Sequence, residues 1–296
     1  MTKLSEEMKS VKSLVAEEME KLLIIPKTPE KSLMEAMRYS VLPLGKALRP
    51  FLLITTAQMF DVPKNISVRP AACLELIHVA MQIHDDLPIM DNDDLRRGKP
   101  SNHKKYNEWT ALLAGDALIA RAFNVLAGEN TLIEPPLKCE LVSEMARTLG
   151  YTGLLGGQML DMMAPQKEDL KLLDVKRMHE MKSAQLFVFA CEAGAIMGKA
   201  DYQARQALKE YAAHLGLIFQ ITDDLLDVEG SVEETGKDTR KDVEAGKATY
   251  VSFVGVDQAR KMAKALVPNC LSALAIFGSE ADLLRDLAKY MAERTK

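Results

Sequence analysis

Apolar residues recur at steps of three and four along most of this 296-residue chain. In the first segment the apolar residues follow this spacing and predict an amphipathic α-helix; they are Leu4, Met8, Val11, Leu14, Val15, Met19, Leu22 and Leu23. Similar patterns continue to the end of the chain, and no alternation of strands with helices indicates a parallel sheet. Aromatic residues make up only 5% of the chain, which also favours helices over strands. The sequence therefore predicts an all-α fold.

Prolines and polar stretches predict where the helices end. Pro26 ends the first helix, residues 43–49 form a loop, and Pro50 suits the first position of the third helix. Residues 96–107 and 230–246 are polar and predict two loops. We also expect helices over residues 68–85, 150–163 and 257–267, and one uninterrupted helix over residues 170–197. No repeat or long linker divides the chain, so we expect one domain over residues 1–296.

Composition and charge restrict the class of protein. The formal net charge is −4, which argues against a nucleic-acid partner because such proteins normally present a basic face. The four cysteines lie far apart and form no C-x-x-C pair, so we expect buried free thiols in a reducing compartment. The start of the chain lacks the apolar core of a signal peptide, and no apolar run approaches the ~18 residues of a membrane span. These features predict a soluble, cytoplasmic protein.

One cluster of carboxylates lies near residue 225. Asp223 and Asp227 are four residues apart and share a helix face, whereas Asp224 lies about 100° away. The neighbouring residues are apolar, so the carboxylates repel one another at the end of a largely buried helix. Hard divalent cations relieve such repulsion, and carboxylate oxygens favour magnesium or calcium over zinc. The spacing predicts a metal-binding face.

A second cluster lies earlier in the chain and does not follow a helix face. Asp85 and Asp91 are six residues apart, about 120° out of alignment on an ideal helix. Pro88 interrupts the helix, so the chain can turn and bring Asp91 back toward Asp85. Arg96 and Arg97 follow closely, and arginine binds phosphate oxygens with two parallel hydrogen bonds. The mixture of charges predicts a metal-bound phosphate.

Each cluster alone has simpler explanations. A solvated acidic helix end has the same composition, and residues 91–93 resemble the opening of a calcium-binding loop. That loop would also need a glycine and a terminal glutamate at fixed offsets, and both are missing here. Two clusters that each end an apolar helix and precede a basic polar loop favour the metal–phosphate interpretation.

Three segments resemble the trans-prenyl diphosphate synthases, the farnesyl and geranylgeranyl diphosphate synthase family. They are residues 85–98 (DDLPIMDNDDLRRG), 220–227 (QITDDLLD) and 45–50 (GKALRP), and their order and spacing also agree. The resemblance implies an isoprenoid synthase-type bundle of about a dozen helices around a deep cavity, usually as a homodimer. It also implies a Mg²⁺-dependent transferase, with three ions and Mn²⁺ as a substitute, which joins isopentenyl diphosphate to allylic diphosphates and releases pyrophosphate.

The resemblance also implies roles for individual residues. It makes Asp85, Asp91 and Asp223 the main metal ligands and Asp86, Asp224 and Asp227 further ones. It assigns the grip on the allylic diphosphate to Arg96, and the isopentenyl diphosphate site to Gly45, Lys46, Arg49, His78 and Arg97. Near the reacting carbons it places Lys182, Ser183 (threonine in the family) and Gln220, and in a closing loop Lys237 and Lys247. The catalytic set is then Asp85, Asp86, Asp91, Arg96, Lys182, Asp223 and Lys237. On sequence alone His78 is more typical of a core histidine, and Gln158 and Asp161 of structural hydrogen bonding.

Product length in the resembled family depends on side chains just before the first cluster. Ala80 stands where many bacterial farnesyl enzymes carry an aromatic residue, which points to a C20 product. Met81 is bulky, lies one turn before Asp85, and could restore a floor at C15. We expect C15, with C20 as the alternative. A terpene cyclase would lack Lys46, Arg49 and His78, and a non-catalytic partner subunit would have lost aspartates or arginines.

Overall fold

The computed structural model describes residues 2–229 and 247–294. Within them lie twelve helices of eight or more residues, as expected for an all-α fold. In chain order the helices are α1 Lys3–Leu22, α2 Lys31–Val41, α3 Leu48–Gln58, α4 Lys64–Asp85, α5 Asn102–Lys105, α6 Glu108–Ala127, α7 Pro135–Leu149, α8 Leu154–Met163, α9 Leu172–His179, α10 Gln185–Met197, α11 Tyr202–Glu229, α12 Tyr250–Val254, α13 Val256–Ala273 and α14 Asp282–Glu293. A π-helical segment, Glu180–Ala184, joins α9 to α10.

The most deeply buried helices form the centre of the bundle. Helix α4 packs between α3 and α6, and α10 packs between α3 and α11. The apolar residues of α4 extend around most of its circumference, which is typical of a helix enclosed by others. The main core runs from Leu4 of α1 to Met291 of α14. Because α4 and α11 end in the two aspartate clusters, this packing fixes where both clusters point.

Several boundaries differ from the sequence predictions. Helix α3 begins at Leu48, so Pro50 is its third residue. Proline is tolerated there because the first N–H groups of a helix have no intrahelical acceptor. Residues 96–107 contain part of a two-stranded hairpin, β1 Leu95–Arg96 with β2 Lys99–Pro100, and the short α5. Residues 150–153 form a turn before α8.

Two further boundaries also differ. Helix α4 begins at Lys64, four residues earlier than expected, and α13 continues to Ala273. The predicted helix over residues 170–197 is divided by the π-helical segment. Residues 230–246, predicted to be a loop, lie outside the described residues.

One close approach controls how α8 packs. A Cβ atom added at Gly157 would lie 2.3 Å from the backbone nitrogen of Lys182, well inside van der Waals contact. Only glycine lets α8 come this close to the π-helical segment. The contact sets the position of Lys182 relative to the polar side chains of α8.

The prediction of buried free thiols holds for three of the four cysteines. Cys73, Cys191 and Cys270 are buried free thiols, but Cys139 is exposed.

Among the described helices, α4 and α6 are long and apolar enough to cross a membrane by length and composition alone. Their best windows are 78% and 44% buried inside the chain, so α4 has the burial of a core helix. The apolar surface of α6 is less covered.

Candidate active site

A cavity of about 750 Å³ opens between the ends of the central helices. Residues from both aspartate clusters line it, together with the segment before α3, the β1–β2 hairpin, α8 and the π-helical segment. A volume of this size is typical of a small-molecule site. The two clusters, more than 130 residues apart in sequence, therefore share one cavity.

The first cluster turns back on itself as its sequence predicts. Helix α4 ends at Asp85, and the N–H of Asp91 donates to the carbonyl of Asp85 at 2.8 Å. The break at Pro88 lets this turn form, so both carboxylates face the cavity. Burial raises the pKa of Asp85 to about 6, Lys182 opposes the rise, and Asp91 adds to it. The surroundings of Asp85 therefore disfavour its ionised form.

Asp86 differs from Asp85 in its surroundings. It is buried, and its Oδ1 accepts a 2.9 Å hydrogen bond from Nε of Arg96, whose Nη2 also contacts it. The same Nη2 donates to Asp93 at 3.1 Å. In this arrangement Arg96 is held by two carboxylates at the cavity wall. The structure gives Asp86 an ion pair with Arg96, and its role as a metal ligand stays a prediction.

The second cluster also divides by surroundings. Asp223 is half-exposed and lies 3.4 Å from Nη2 of Arg294. Asp224 is buried and accepts hydrogen bonds from Nε2 of Gln220 at 2.7 Å and from the N–H of Tyr250 at 2.8 Å. Gln220 thus lies on the side of Asp224, one turn away. All three aspartates line the cavity, and Asp223 and Asp227 share one helix face.

The π-helical segment carries two predicted site residues. Nζ of Lys182 donates to Asp161 of α8 at 2.5 Å, and the hydroxyl of Ser183 donates to Gln220 at 2.5 Å. Burial lowers the pKa of Lys182, but the carboxylates of Asp161 and Asp85 outweigh this, so the pKa is raised overall. Asp161 therefore holds a charged ammonium group beside Asp85. Short π-helical segments are frequent at functional sites.

Gln158 of α8, for which the sequence predicted structural hydrogen bonding, also lines the cavity. It is buried, and neither its amide nitrogen nor its amide oxygen has a hydrogen-bond partner among the described residues.

The opposite wall is cationic. Arg49 is buried against Phe187, with its Nη1 3.2 Å from Nε2 of His78. Burial lowers the pKa of Arg49 to about 10, and the nearby Glu75 opposes this. His78 therefore lines the cavity beside Arg49, and its role in binding isopentenyl diphosphate stays a prediction.

Arg97 extends this cationic wall. It has φ 55°, its Nη2 donates to Gln82 at 3.0 Å, and its guanidinium lies against Gly45. A Cβ atom at Gly45 would lie 3.0 Å from Cζ of Arg97, so glycine leaves space for that group.

Arg294, just after α14, is a site residue that sequence reasoning missed. Its guanidinium lies 4.5 Å from the ring of Phe219 and lines the cavity beside Asp223. Burial lowers the pKa of Arg294, and it also lowers that of the nearby Lys46. No local pattern distinguishes Arg294 from a surface arginine. Glu75 of α4 also lines the cavity and was not predicted. A single charged residue within an otherwise apolar helical segment is the sequence signal that indicates it.

Among the guanidinium groups that line the cavity, three carry a buried N–H donor with no hydrogen-bond partner among the described residues. They are Nε of Arg49, Nη1 of Arg97 and Nε of Arg294. An unpaired buried donor costs about 1–3 kcal/mol, more when it is charged. The three groups concentrate positive charge on the cavity wall.

Lys247 is a further cation that lines the cavity. Its Nζ lies 3.0 Å from Oδ1 of Asp91, so it approaches the first cluster from the segment before α12. Lys237, predicted to accompany it, lies outside the described residues.

The donors suit a hard divalent cation. Within residues 2–229 and 247–294, no three histidine, cysteine or acidic side chains converge closely enough to hold an ion. The carboxylates that face the cavity offer only oxygen, from Asp85 and Asp91 on one wall and Asp223 and Asp227 on the other. Magnesium is typically held in this way, by one or two carboxylates together with substrate phosphates.

The two residues predicted to control product length differ in position. Met81 is buried and lines the cavity. Ala80 is fully buried and is not among the lining residues. Of the two, Met81 is the one whose size changes the cavity directly.

Comparison with known proteins gives consistent matches. Residues 30–283 match the family model described as polyprenyl synthetase. The chain is 42% identical over 276 residues to geranylgeranyl pyrophosphate synthase 9, chloroplastic, of Arabidopsis thaliana, covering 91% of this chain and 76% of that protein. It is 40% identical over 267 residues to farnesyl diphosphate synthase of Escherichia coli strain K12, covering 88% and 89%.

A solved structure agrees with these matches. The chain superimposes on an FPP/GFPP synthase from Zymomonas mobilis with a TM-score of 0.87 and 40% identity, covering 98% of each chain.

Proposed function

The chain belongs to the polyprenyl synthetase family, and from that premise we propose that it makes farnesyl diphosphate. It would condense isopentenyl diphosphate head to tail with dimethylallyl and then geranyl diphosphate, releasing pyrophosphate each time. The observation that carries the proposal is the shared cavity. Carboxylates from the ends of α4 and α11 line it, together with three guanidinium groups whose buried N–H donors have no partner among the described residues.

The chain's own residues divide the work. Arg96, held by two carboxylates, and Lys182, held by one, would bind the allylic diphosphate and stabilise charge as the carbon–oxygen bond breaks. Arg49, His78 and Arg97 would bind isopentenyl diphosphate on the opposite wall. Apolar side chains below Asp85 would exclude water from the allylic cation. The double bond of isopentenyl diphosphate then attacks that cation, and a proton leaves to the released pyrophosphate.

A divalent metal is part of the proposal, with Mg²⁺ as the ion. Asp85, Asp91 and Asp223 would be its main protein ligands. When bound, it neutralises the leaving pyrophosphate.

The deciding experiment supplies the protein with Mg²⁺, isopentenyl diphosphate and one allylic primer at a time. With dimethylallyl or geranyl diphosphate we expect C15 diphosphate, and little product from farnesyl diphosphate. Cyclic hydrocarbons, or pyrophosphate release without isopentenyl diphosphate, would indicate a terpene cyclase or a phosphatase. No elongation with any primer would contradict the proposal.

Geranylgeranyl diphosphate, the C20 product, is the second candidate. The similarity to the chloroplastic enzyme and the small Ala80 both favour it. Elongation of farnesyl diphosphate to C20 in the same assay would select it.

Met81→Ala should lengthen the product distribution by one or more C5 units. Met81 lines the cavity one turn before Asp85, and its truncation removes three heavy atoms from the wall. The measurement is chromatography of the dephosphorylated products. Met90→Ala is a control because Met90 packs against the core and is not among the lining residues. Unchanged lengths in Met81→Ala would show that Met81 is not the floor.

A homodimer is also proposed, with α6 at its interface. Trp109, Leu112 and Leu113 on α6 are 67%, 46% and 49% exposed, a cluster of apolar groups unusual for a free surface. We expect light scattering to give about twice the 32.8 kDa chain mass and Leu112→Lys to shift it toward one chain. A wild-type mass equal to one chain would contradict the dimer.

A further inference from the structure

A chain of hydrogen bonds connects the π-helical segment to α11 and α12. The hydroxyl of Ser183 donates to Oε1 of Gln220 at 2.5 Å, and Nε2 of Gln220 donates to Oδ1 of Asp224 at 2.7 Å. The backbone N–H of Tyr250 donates to Oδ2 of Asp224 at 2.8 Å. Ser183, Gln220 and Asp224 all line the cavity.

The chemistry of Asp224 fixes the direction of every bond in this chain. An ionised carboxylate only accepts hydrogen bonds, whereas an amide such as Gln220 can present either its oxygen or its nitrogen. Gln220 must therefore turn its nitrogen to Asp224 and its oxygen to Ser183. The hydroxyl of Ser183 must then donate to Gln220, which leaves its oxygen lone pairs for the cavity.

We propose that Asp224 is a positioning residue that acts through Gln220 to aim the oxygen of Ser183, rather than its hydrogen, at the reacting carbons. The inference rests on the proposed function, in which an allylic carbon becomes positive during the reaction. An oxygen lone pair stabilises that charge, and a hydroxyl hydrogen would destabilise it. Asp224, which is buried in the cavity wall, thus acts on the reaction through Gln220 and Ser183.

This assigns the adjacent aspartates different work. Asp223 is half-exposed, with its carboxylate in the cavity, and is expected to bind metal. Asp224 is buried, with its oxygens accepting from Gln220 and from the N–H of Tyr250. A variant of each should therefore respond differently to metal concentration.

Asp224→Asn is the main test. The N–H of Tyr250 is fixed by the backbone, so the new amide must keep its oxygen there and turn its nitrogen to Gln220. Gln220 then flips, donates to Ser183, and leaves the hydroxyl hydrogen for the cavity. We expect kcat to fall about tenfold. The Mg²⁺ concentration for half-maximal activity should stay within about twofold of wild type, whereas Asp223→Asn should raise it at least about tenfold.

Asp224→Asn combined with Ser183→Ala tests whether Asp224 acts through the hydroxyl of Ser183. Ser183→Ala should itself lower kcat about tenfold, and Asp224→Asn should then add less than about threefold, because the hydroxyl it acts through is gone. Ser183→Thr keeps a hydroxyl and should recover most of the lost rate. Hydrogen exchange of the peptide over residues 247–254 gives a readout independent of activity. Asp224→Asn should leave the Tyr250 amide protected, and Asp224→Ala should expose it.

Three results would overturn the proposal. They are a raised Mg²⁺ requirement in Asp224→Asn matching that of Asp223→Asn, an undiminished effect of Asp224→Asn in the Ser183→Ala background, and wild-type kcat in Ser183→Ala. The last comparison decides the matter even if Asp224→Asn fails to fold. Wild-type elongation measured in the same assay separates these outcomes from failure of the proposed function, in which the wild-type protein itself would make no product.

Discussion

Asp85→Asn should lower kcat by about three orders of magnitude while making the metal-free protein more stable at pH 8. The loss follows because Asp85 faces the cavity beside Lys182 and Asp91, where the proposed reaction develops its charge. Asparagine keeps the shape and removes the charge. Steady-state kinetics with geranyl and isopentenyl diphosphates measure the first effect, and thermal unfolding measures the second.

The stability gain has a defined pH range. The pKa of Asp85 is raised from an ordinary 3.8 to about 6, so the folded protein binds this proton more tightly than the unfolded chain. The ionised carboxylate therefore costs stability above about pH 6, and that cost disappears as the pH falls through 6 toward 4. We expect Asp85→Asn to raise the Tm by about 3 °C at pH 8, with the difference from wild type vanishing near pH 4.

Asp94→Asn is the matched control. Asp94 belongs to the same acidic segment, but it is exposed and pairs with Lys104 on the surface. Such a pair contributes about 0–1 kcal/mol, so kcat should stay within about twofold of wild type and Tm within about 2 °C. An Asp85→Asn protein that kept wild-type kcat, or that lost stability at pH 8, would contradict the account of this site.

Gly157→Ala should lower both the Tm, by about 5 °C, and kcat, by about 100-fold. The added Cβ would lie 2.3 Å from the nitrogen of Lys182, so α8 must move away from the π-helical segment. That movement carries Asp161 away from Lys182 and displaces the ammonium group beside Asp85. Calorimetry and steady-state kinetics are the measurements.

Helix propensity predicts the opposite sign for this variant. Alanine within a helix is favoured over glycine by about 1 kcal/mol, whereas overpacking costs about 1–3 kcal/mol. We expect overpacking to dominate because the neighbour is backbone and cannot rotate aside. Met159→Ala, on the exposed side of the same helix, should leave Tm within about 2 °C. A more stable and fully active Gly157→Ala would show that α8 has room to adjust.

Periodicity predicted the helices well because the apolar stripes follow the α-helical repeat. It could not locate the π-helical segment, since one widened turn shifts the stripe by only a residue. Residues 170–197 therefore read as one helix, although Lys182 and Ser183 lie where the α-helix is interrupted. The predicted start of α3 was wrong for another reason. Proline is tolerated at any of the first positions of a helix, so Pro50 does not mark the first residue.

In the site, the sequence predicted which aspartates of α11 share a helix face, but not which groups each of them contacts. Helical geometry placed Asp224 about 100° from Asp223, and the structure shows that this turns Asp224 toward Gln220 and Tyr250. Whether a carboxylate meets a cavity or a backbone N–H depends on chain folded far from it in sequence. Arg294 was missed for the same reason, because it meets Phe219 some 75 residues away.

Three guanidinium groups of the cavity have a buried N–H donor without a partner among the described residues, and they would link the stability of this protein to the diphosphates that it is proposed to bind. A ligand that binds only the folded chain stabilises it in proportion to the logarithm of its concentration, about 2.7 kcal/mol at 100 times Kd. A diphosphate bound in the cavity that Arg49, Arg97 and Arg294 line would be such a ligand. When precursors are scarce the folded state would lose this support, and unfolding and proteolysis would increase. The abundance of the enzyme would thus follow the flux through it without any separate regulator.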